Sequence, residues 1–185
     1  MFEADMRKKA NRMTKPPILR PWESISGHMY DCECELLAEL ARGKRALEIG
    51  THHGRSAAAI ASSALSVVTI DTYEGDAQIG PPSLEVTTKN LSPFANVRIV
   101  VGDWREIAIV PDDYDFIFYD GCHAEEGEFL ALLHGFRGTI ALHDYKPGEP
   151  GMSHVVEAVD EFALATGREK IIGAGSIVWF ESIKE

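Results

Sequence analysis

The sequence predicts a single doubly wound α/β sheet, mostly parallel, with helices on both faces. Short β-branched or aromatic runs alternate with stretches of helical periodicity. The apolar run 46–49 passes through a turn containing Gly50 and Gly54 into an alanine-rich helix former, as a first strand–turn–helix unit requires. Asp71, Asp103, Asp120, His123, His143 and Asp144 each closely follow a predicted strand. In a parallel sheet those positions gather along one rim, where ligands bind.

The composition suits one domain with a substantial core: 185 residues, 45% hydrophobic and 25% charged. We expect a basic arm over 1–21 and the packed domain over 22–185. The arm carries Arg7, Lys8, Lys9, Arg12, Lys15 and Arg20 against Glu3 and Asp5, which leaves 12 cations and 27 anions in the remainder. A net charge of −11 argues against a nucleic-acid footprint, which needs clustered Lys and Arg. No apolar run approaches the roughly 20 residues of a membrane span, and the N-terminus lacks the apolar centre of a secretory signal. A cytoplasmic location is therefore expected. Cys32, Cys34 and Cys122 are too few and too irregular for a disulfide framework or a thiolate zinc site, and read as ordinary thiols.

In order, Lys15-Pro16-Pro17 and Arg20-Pro21 make an extended lead-in. Leu36, Leu37, Leu40 and Ala41 recur at helical spacing over 30–42, and Gly43 stops the pattern. Strands follow at 46–49 and 66–70, the second ending in Asp71 before a Gly- and Pro-rich loop to Pro82. A helix over 83–91 leads to a third strand at 97–101. The fourth strand spans 114–119, with Asp115 as a solvated entry charge, and a helix over 125–133 buries Phe129, Leu132 and Leu133. A fifth strand at 138–142, a helix over 153–166 and strands near 170–172 and 176–180 complete about seven strands. Pro147, Gly148, Pro150 and Gly151 make the 145–152 loop a pocket edge or simply a turn.

The turn at Glu48, Gly50 and Gly54 with Asp71 fits a nucleoside ligand. A carboxylate ending the second strand can accept both ribose hydroxyls, and Asp103 is placed to accept from an adenine amino group. The glycine spacing differs from the dinucleotide pattern, and Glu48 puts negative charge where a pyrophosphate would sit, which favours a cationic cofactor. His52 and His53 lie inside the turn as backbone caps or cofactor packing. His28 and Tyr30 read as substrate wall or plain surface, and Trp104 as an adenine-side wall or a core residue.

These pieces resemble a class I S-adenosylmethionine-dependent methyltransferase of Rossmann-like fold. The matching segments are Leu-Glu-Ile-Gly-Thr-His-His-Gly at 47–54, Val-Thr-Ile-Asp at 68–71, Val-Gly-Asp-Trp at 101–104, Phe-Ile-Phe-Tyr-Asp-Gly at 116–121 and Ala-Leu-His-Asp-Tyr at 141–145. The resemblance covers roughly 30–181. It implies seven strands with the last antiparallel, Glu48 and Gly50 near the methionine part, Asp71 on the ribose, and Asp103 with Trp104 beside the adenine. Thr51, Gly54, Thr72 and Asp120 complete the expected cofactor-binding set.

The segments at 120–123 and 143–145 resemble small-molecule O-methyltransferases of the catechol and antibiotic-tailoring types. Those bind magnesium through a carboxylate after the fourth strand and an acidic pair after the fifth. The implied metal set here is Asp120, His143 and Asp144, a mixed donor set in which magnesium is less content than manganese, iron or zinc. His143 departs from the tailoring pattern, Tyr145 from the catechol pattern, and Cys122 stands where the tailoring type often has an acid. His123 falls where the catechol type carries a lysine base. It reads either as a proton acceptor, for which an imidazole pKa of about 6.5 is suited, or as a rim histidine holding a loop.

The expected function is methyl transfer from S-adenosylmethionine to a hydroxyl of a small molecule, with His123, Asp120 and Asp144 as catalytic groups and a divalent metal (Mg or similar) as a candidate aid. The expected partners are that substrate and a second copy of the chain, with neither nucleic acid nor membrane. The alternatives are a nicotinamide-dependent oxidoreductase, opposed by the glycine spacing and Glu48, and a catalytically idle cofactor-binding module, suggested by the altered 120–123 and 143–145 segments.

Overall fold

A computed structural model describes residues 20–75 and 82–183, in which helices and strands alternate as the hydrophobic periodicity requires. A 3-10 turn at Pro21–Ser24 leads to α1 (Asp31–Leu40), β1 (Arg45–Ile49), α2 (Arg55–Ala61), β2 (Ser66–Asp71), α3 (Leu84–Leu91) and β3 (Val97–Val101). Then follow β4 (Phe116–Tyr119), α4 (Glu126–Leu132), β5 (Thr139–Leu142), α5 (Ser153–Thr166), β6 (Lys170–Ile172) and β7 (Val178–Phe180). Most of the basic arm and the 76–81 part of the Gly- and Pro-rich loop lie outside the described residues.

Among the described residues the sheet has seven strands in the order β3-β2-β1-β4-β5-β7-β6. β1 to β5 pair in parallel, while β7 runs antiparallel to both β5 and β6. The order reverses at β1, which pairs β2 on one side and β4 on the other. That switch point opens a crevice at the strands' carboxyl ends.

The alternation of side chains along β4 shows how both faces are filled. Phe116 and Phe118 enter a core with Trp22, Leu37 and Ile60, whereas Ile117 and Tyr119 enter a second core with Phe129, Leu133 and Phe162. The domain is anchored from Trp22, which is fully buried. Arg55, unread in the sequence, ties this entry to α2: its guanidinium donates to the carbonyls of Trp22, Ile25 and Met29 and to Asp31.

Two strand starts differ from expectation. β4 begins at Phe116, because Asp115 turns aside to accept from the Arg45 N–H (3.0 Å) and both edges of its guanidinium (2.9 Å each). Hydrogen bonds from Arg45 hold Asp115 down to about 2, so it is a bidentate partner and not merely a solvated charge. β7 begins at Val178, because Ser176 turns inward to Glu33. Among the described residues no helix is long and apolar enough to cross a membrane.

Candidate active site

At the switch point the exits of β1 and β4 touch through their main chains. Gly50 has φ +93°, and a Cβ there would fall on the Asp120 carbonyl oxygen. The close approach that demands glycine here is to Asp120. Gly54 (φ +86°) precedes α2, where a Cβ would meet Leu91 Cγ at 2.9 Å. The intervening turn is braced by α3: Thr87 Oγ1 donates to the His52 carbonyl at 2.5 Å and Asn90 Nδ2 to the His53 carbonyl at 2.9 Å. The His52 and His53 rings lie with centroids 4.1 Å apart and tilted by 42°, the His28 ring lies 5.6 Å from that of His52, and both His28 and Tyr30 are exposed.

The reading of Glu48 is corrected. Its side chain is fully buried and accepts from Thr69 Oγ1 at 2.5 Å, and Thr69 in turn meets Thr51 Oγ1 at 2.5 Å. Burial, against hydrogen bonds from Ser56 and Thr69, pushes the Glu48 carboxyl up to about 8. The raised value and the enclosure of the side chain weaken the charge argument against a pyrophosphate. Thr51 is likewise buried, so neither side chain lies on the open rim.

Asp71 stands as expected at the β2 exit. Its Oδ2 accepts from His52 N (2.8 Å) and its Oδ1 from Tyr73 N (2.7 Å), which leaves each oxygen a second lone-pair direction. Thr72 is exposed, and among the described residues its hydroxyl accepts only a long bond, from Glu74 N at 3.3 Å. Asp103 is more heavily engaged than the sequence suggested. Arg105 grips it through Nε (3.0 and 3.1 Å) and a terminal nitrogen (2.5 Å), and these bonds hold the carboxyl below its ordinary value. Most of its accepting capacity is thereby used. Arg105 also reaches Glu125 (3.0 Å), which accepts from Trp104 Nε1 at 3.1 Å. Trp104 is buried edge-on against Phe129, a core position.

Across the crevice, Asp120 ends β4, a 3-10 turn at His123–Glu125 follows, and His143 and Asp144 end β5. His123 Nε2 lies 3.2 Å from Asp144 Oδ2, and this hydrogen bond, outweighing burial, raises the imidazole pKa. Asp144 also meets His143 Nδ1 (3.4 Å) and Lys146 Nζ (2.6 Å). Despite its burial, these partners hold its carboxyl well below the ordinary range. Asp144 adopts φ +57°, an uncommon conformation for a residue other than glycine and one associated with functional sites. Cys122 is exposed beside this turn, its carbonyl accepting from Tyr119 OH at 2.8 Å. Tyr145 is turned away to Asp160 and Lys170.

His143 is the surprise of the rim. It is buried, with Nδ1 3.2 Å from Asp120 Oδ1 and Nε2 3.3 Å from Glu33 Oε1, the latter an ion-pair contact off the hydrogen-bond line. Although burial would lower it, the charge of Asp120 and bonds to Asp120, Asp144 and Glu33 hold the imidazole well above its ordinary value. Glu33 is held well below its own, against burial, by His143 and the N–H groups of Ser176 (2.8 Å) and Tyr30 (2.8 Å). The side chains grouped at metal-ligand spacing are Asp120, His123 and Asp144, their atoms within 4.8 Å of one another, so His123 and not His143 completes that set.

Sequence reasoning missed Glu33, Arg105, Ser176 and Glu126. Glu33 carried one signal, an acid at the third helical position, where it accepts the Tyr30 N–H as a capping acid does. Glu126 carried none. It is buried with both oxygens unpartnered among the described residues, and burial together with the charges of Asp120 and Asp144 pushes it up to about 8.

The chain matches a family model described as a methyltransferase domain over residues 47–145. No curated protein matches it. Its fold is similar to cofactor-bound Rv0187 from MTB (TM-score 0.66, 16% identity, covering 98% of this chain and 97% of that one). It is also similar to the O-methyltransferase TomG from Streptomyces achromogenes, involved in tomaymycin synthesis and solved with SAM (0.60, 18%, 85% and 82%). A third similar structure is precorrin-6y C5,15-methyltransferase from Geobacter metallireducens (0.67, 14%, 91% and 100%).

Proposed function

Because the chain belongs to this methyltransferase-domain family, we propose that it transfers a methyl group from S-adenosylmethionine to a hydroxyl of a small molecule. The observation that carries the oxygen-acceptor reading is the His123–Asp144 pair, 3.2 Å apart at the rim beside Asp120. When bound, S-adenosylmethionine supplies a methyl group already activated by its sulfonium, so the protein has mainly to position the acceptor and manage one proton.

The residues fit such a donor at the nucleoside end. The half-buried Asp71 carboxylate, fixed by two backbone N–H groups, keeps a lone pair on each oxygen for a ribose hydroxyl. The exits of β1 and β4, joined at Gly50 and Asp120, form the adjoining wall. His123 receives the acceptor's hydroxyl proton, and Asp144 orients the ring and stabilises the imidazolium that results. Asp120, half-exposed beside them, holds the acceptor.

The resemblance implies magnesium, and the rim does not fit it. Magnesium demands near-octahedral oxygen ligands, whereas two imidazoles stand among the carboxylates here. No step is assigned to that ion. Family membership favours methyl transfer over the nicotinamide alternative, whose case no longer turns on Glu48.

Calorimetry with S-adenosylmethionine tests the donor: wild type binds and Asp71→Ala binds markedly more weakly, and equal affinity defeats the assignment. A screen of hydroxylated small molecules for S-adenosylhomocysteine production tests the acceptor. Turnover confined to amine or carbon acceptors would overturn the hydroxyl reading.

A further inference from the structure

A run of polar contacts joins the donor turn to the acceptor rim through the first turn of α1. Arg55, the first residue of α2 behind the Gly50–Gly54 turn, donates to Asp31 at the start of α1 (2.6 Å) and to the Met29 carbonyl (3.0 Å). Two residues on from Asp31, Glu33 Oε1 faces His143 Nε2 at 3.3 Å, and His143 Nδ1 in turn lies 3.2 Å from Asp120 Oδ1. We propose that Glu33 is a positioning residue for methyl transfer, which through His143 fixes the Asp120 carboxylate that holds the acceptor. The inference deepens the methyl-transfer reading, on which it rests, and assigns no step to a metal.

Glu33 is held from several directions at once. Fully buried, it accepts from Tyr30 N (2.8 Å) ahead of α1 and from Ser176 N (2.8 Å) and Ser176 Oγ (3.1 Å) in the turn before β7. That turn closes directly on it. Gly175 there has φ +61°, and a Cβ on it would fall on the Glu33 carboxylate.

The contact with His143 passes this fixity on to the rim. Each ring nitrogen of the buried His143 faces a carboxylate from a different element, so the ring cannot turn without giving up one of them. Among the described residues, His143 is the one hydrogen-bond or ion-pair partner of the Asp120 carboxylate, whereas Asp144 also has His123 and Lys146. The orientation of Asp120 therefore depends on His143, and that of His143 on Glu33. Stability alone explains the arrangement poorly. A capping acid needs only the Tyr30 N–H and can serve from the surface, and a buried ion pair is often no more stable than apolar residues of the same volume.

Crystal structures and kinetics of the 185-residue chain test the proposal. In Glu33→Gln we expect the His143 ring and the Asp120 carboxylate to leave their wild-type positions, while the calorimetric affinity for S-adenosylmethionine stays unchanged. With the hydroxyl compound that yields most S-adenosylhomocysteine in wild type, kcat/KM for the acceptor should fall by about 10- to 100-fold, as a displacement of up to about 1 Å costs. His143→Gln should cost as much, and the double variant no more than either, because the two residues act in series. An Asp120 carboxylate that keeps its place in Glu33→Gln, an unchanged kcat/KM, effects that multiply in the double variant, or a parallel loss of donor affinity would each overturn it. If Glu33→Gln does not fold, His143→Gln, which leaves Glu33 its three other donors, decides by the same outcomes. Wild type that binds no donor defeats the methyl-transfer reading, and the place of Asp120 in the variant crystals then still decides the Glu33–His143 relay.

Discussion

Glu33 Oε1 faces His143 Nε2 at 3.3 Å, which joins the first turn of α1 to the exit of β5 inside the protein. Both side chains are buried; removing Glu33 takes one of three carboxylates from His143 and leaves the Tyr30 and Ser176 N–H groups without their acceptor. We expect Glu33→Ala to cost about 3–5 kcal/mol, as for other broken buried pairs, measured by denaturant unfolding at pH 7. The pH dependence has a definite sign. Glu33 is held below its ordinary value in the folded state, so its contribution is complete above about pH 4.3, the unfolded value, and is lost as pH falls further. Melting temperatures between pH 7 and pH 3 should therefore fall more steeply in wild type than in Glu33→Gln.

Glu126 has the opposite sign. Its folded-state value of about 8 lies above that of an unfolded glutamate, so folding is favoured while the group is protonated. That advantage is whole at about pH 4 and disappears as pH rises through 8. Glu126→Gln should therefore match wild type near pH 4 and exceed it at pH 9 by on the order of 2 kcal/mol, discounting relaxation of the site. The comparison is made by denaturant unfolding in chelator, and a variant less stable at pH 9 refutes the unpartnered carboxyl.

Gly50 and Gly43 both hold positive φ but differ in their surroundings. A Cβ at Gly43 (φ +68°) meets nothing within 4 Å, whereas one at Gly50 falls on the Asp120 carbonyl. Gly43→Ala should cost about 1 kcal/mol, the strain of a left-handed residue. Gly50→Ala adds displacement of main chain at the switch point, so we expect about 3 kcal/mol or more, together with weakened donor binding by calorimetry. Equal costs at the two positions would show that the β1–β4 contact has no special role.

The fold was legible because its signals are local. The β-branched runs, the alternation along β4 and the Gly50–Gly54 turn lie within windows that periodicity reads. The rim acids were legible for the same reason, since each follows its own strand. What the sequence hid are pairings across elements. Nothing in Asp103-Trp104-Arg105 indicates that Arg105 folds back on Asp103, nor does the first turn show that Glu48 is enclosed while Asp71 stays on the rim. The exchange of His143 for His123 at metal-ligand spacing has the same origin. It depends on a glutamate of α1 that periodicity marks only as a helix-start acid.

The His123–Asp144 pair predicts the pH profile of methyl transfer. The hydrogen bond from Asp144 raises the His123 pKa above its ordinary value, so the neutral ring that accepts a proton is scarce in acid and grows as pH rises through that raised value. The rate of S-adenosylhomocysteine formation should fall on the acid side with a single protonation. Asp144→Asn removes the charge that raises it, so the acid limb should move down toward about 6.5, the ordinary imidazole value, while the maximal rate declines because the ring loses its orienting partner. His123→Ala should lower the rate by about 10²- to 10⁴-fold, the usual worth of a positioned base, and abolish that limb. A limb unmoved in Asp144→Asn assigns the titration to another group and removes His123 as the proton acceptor.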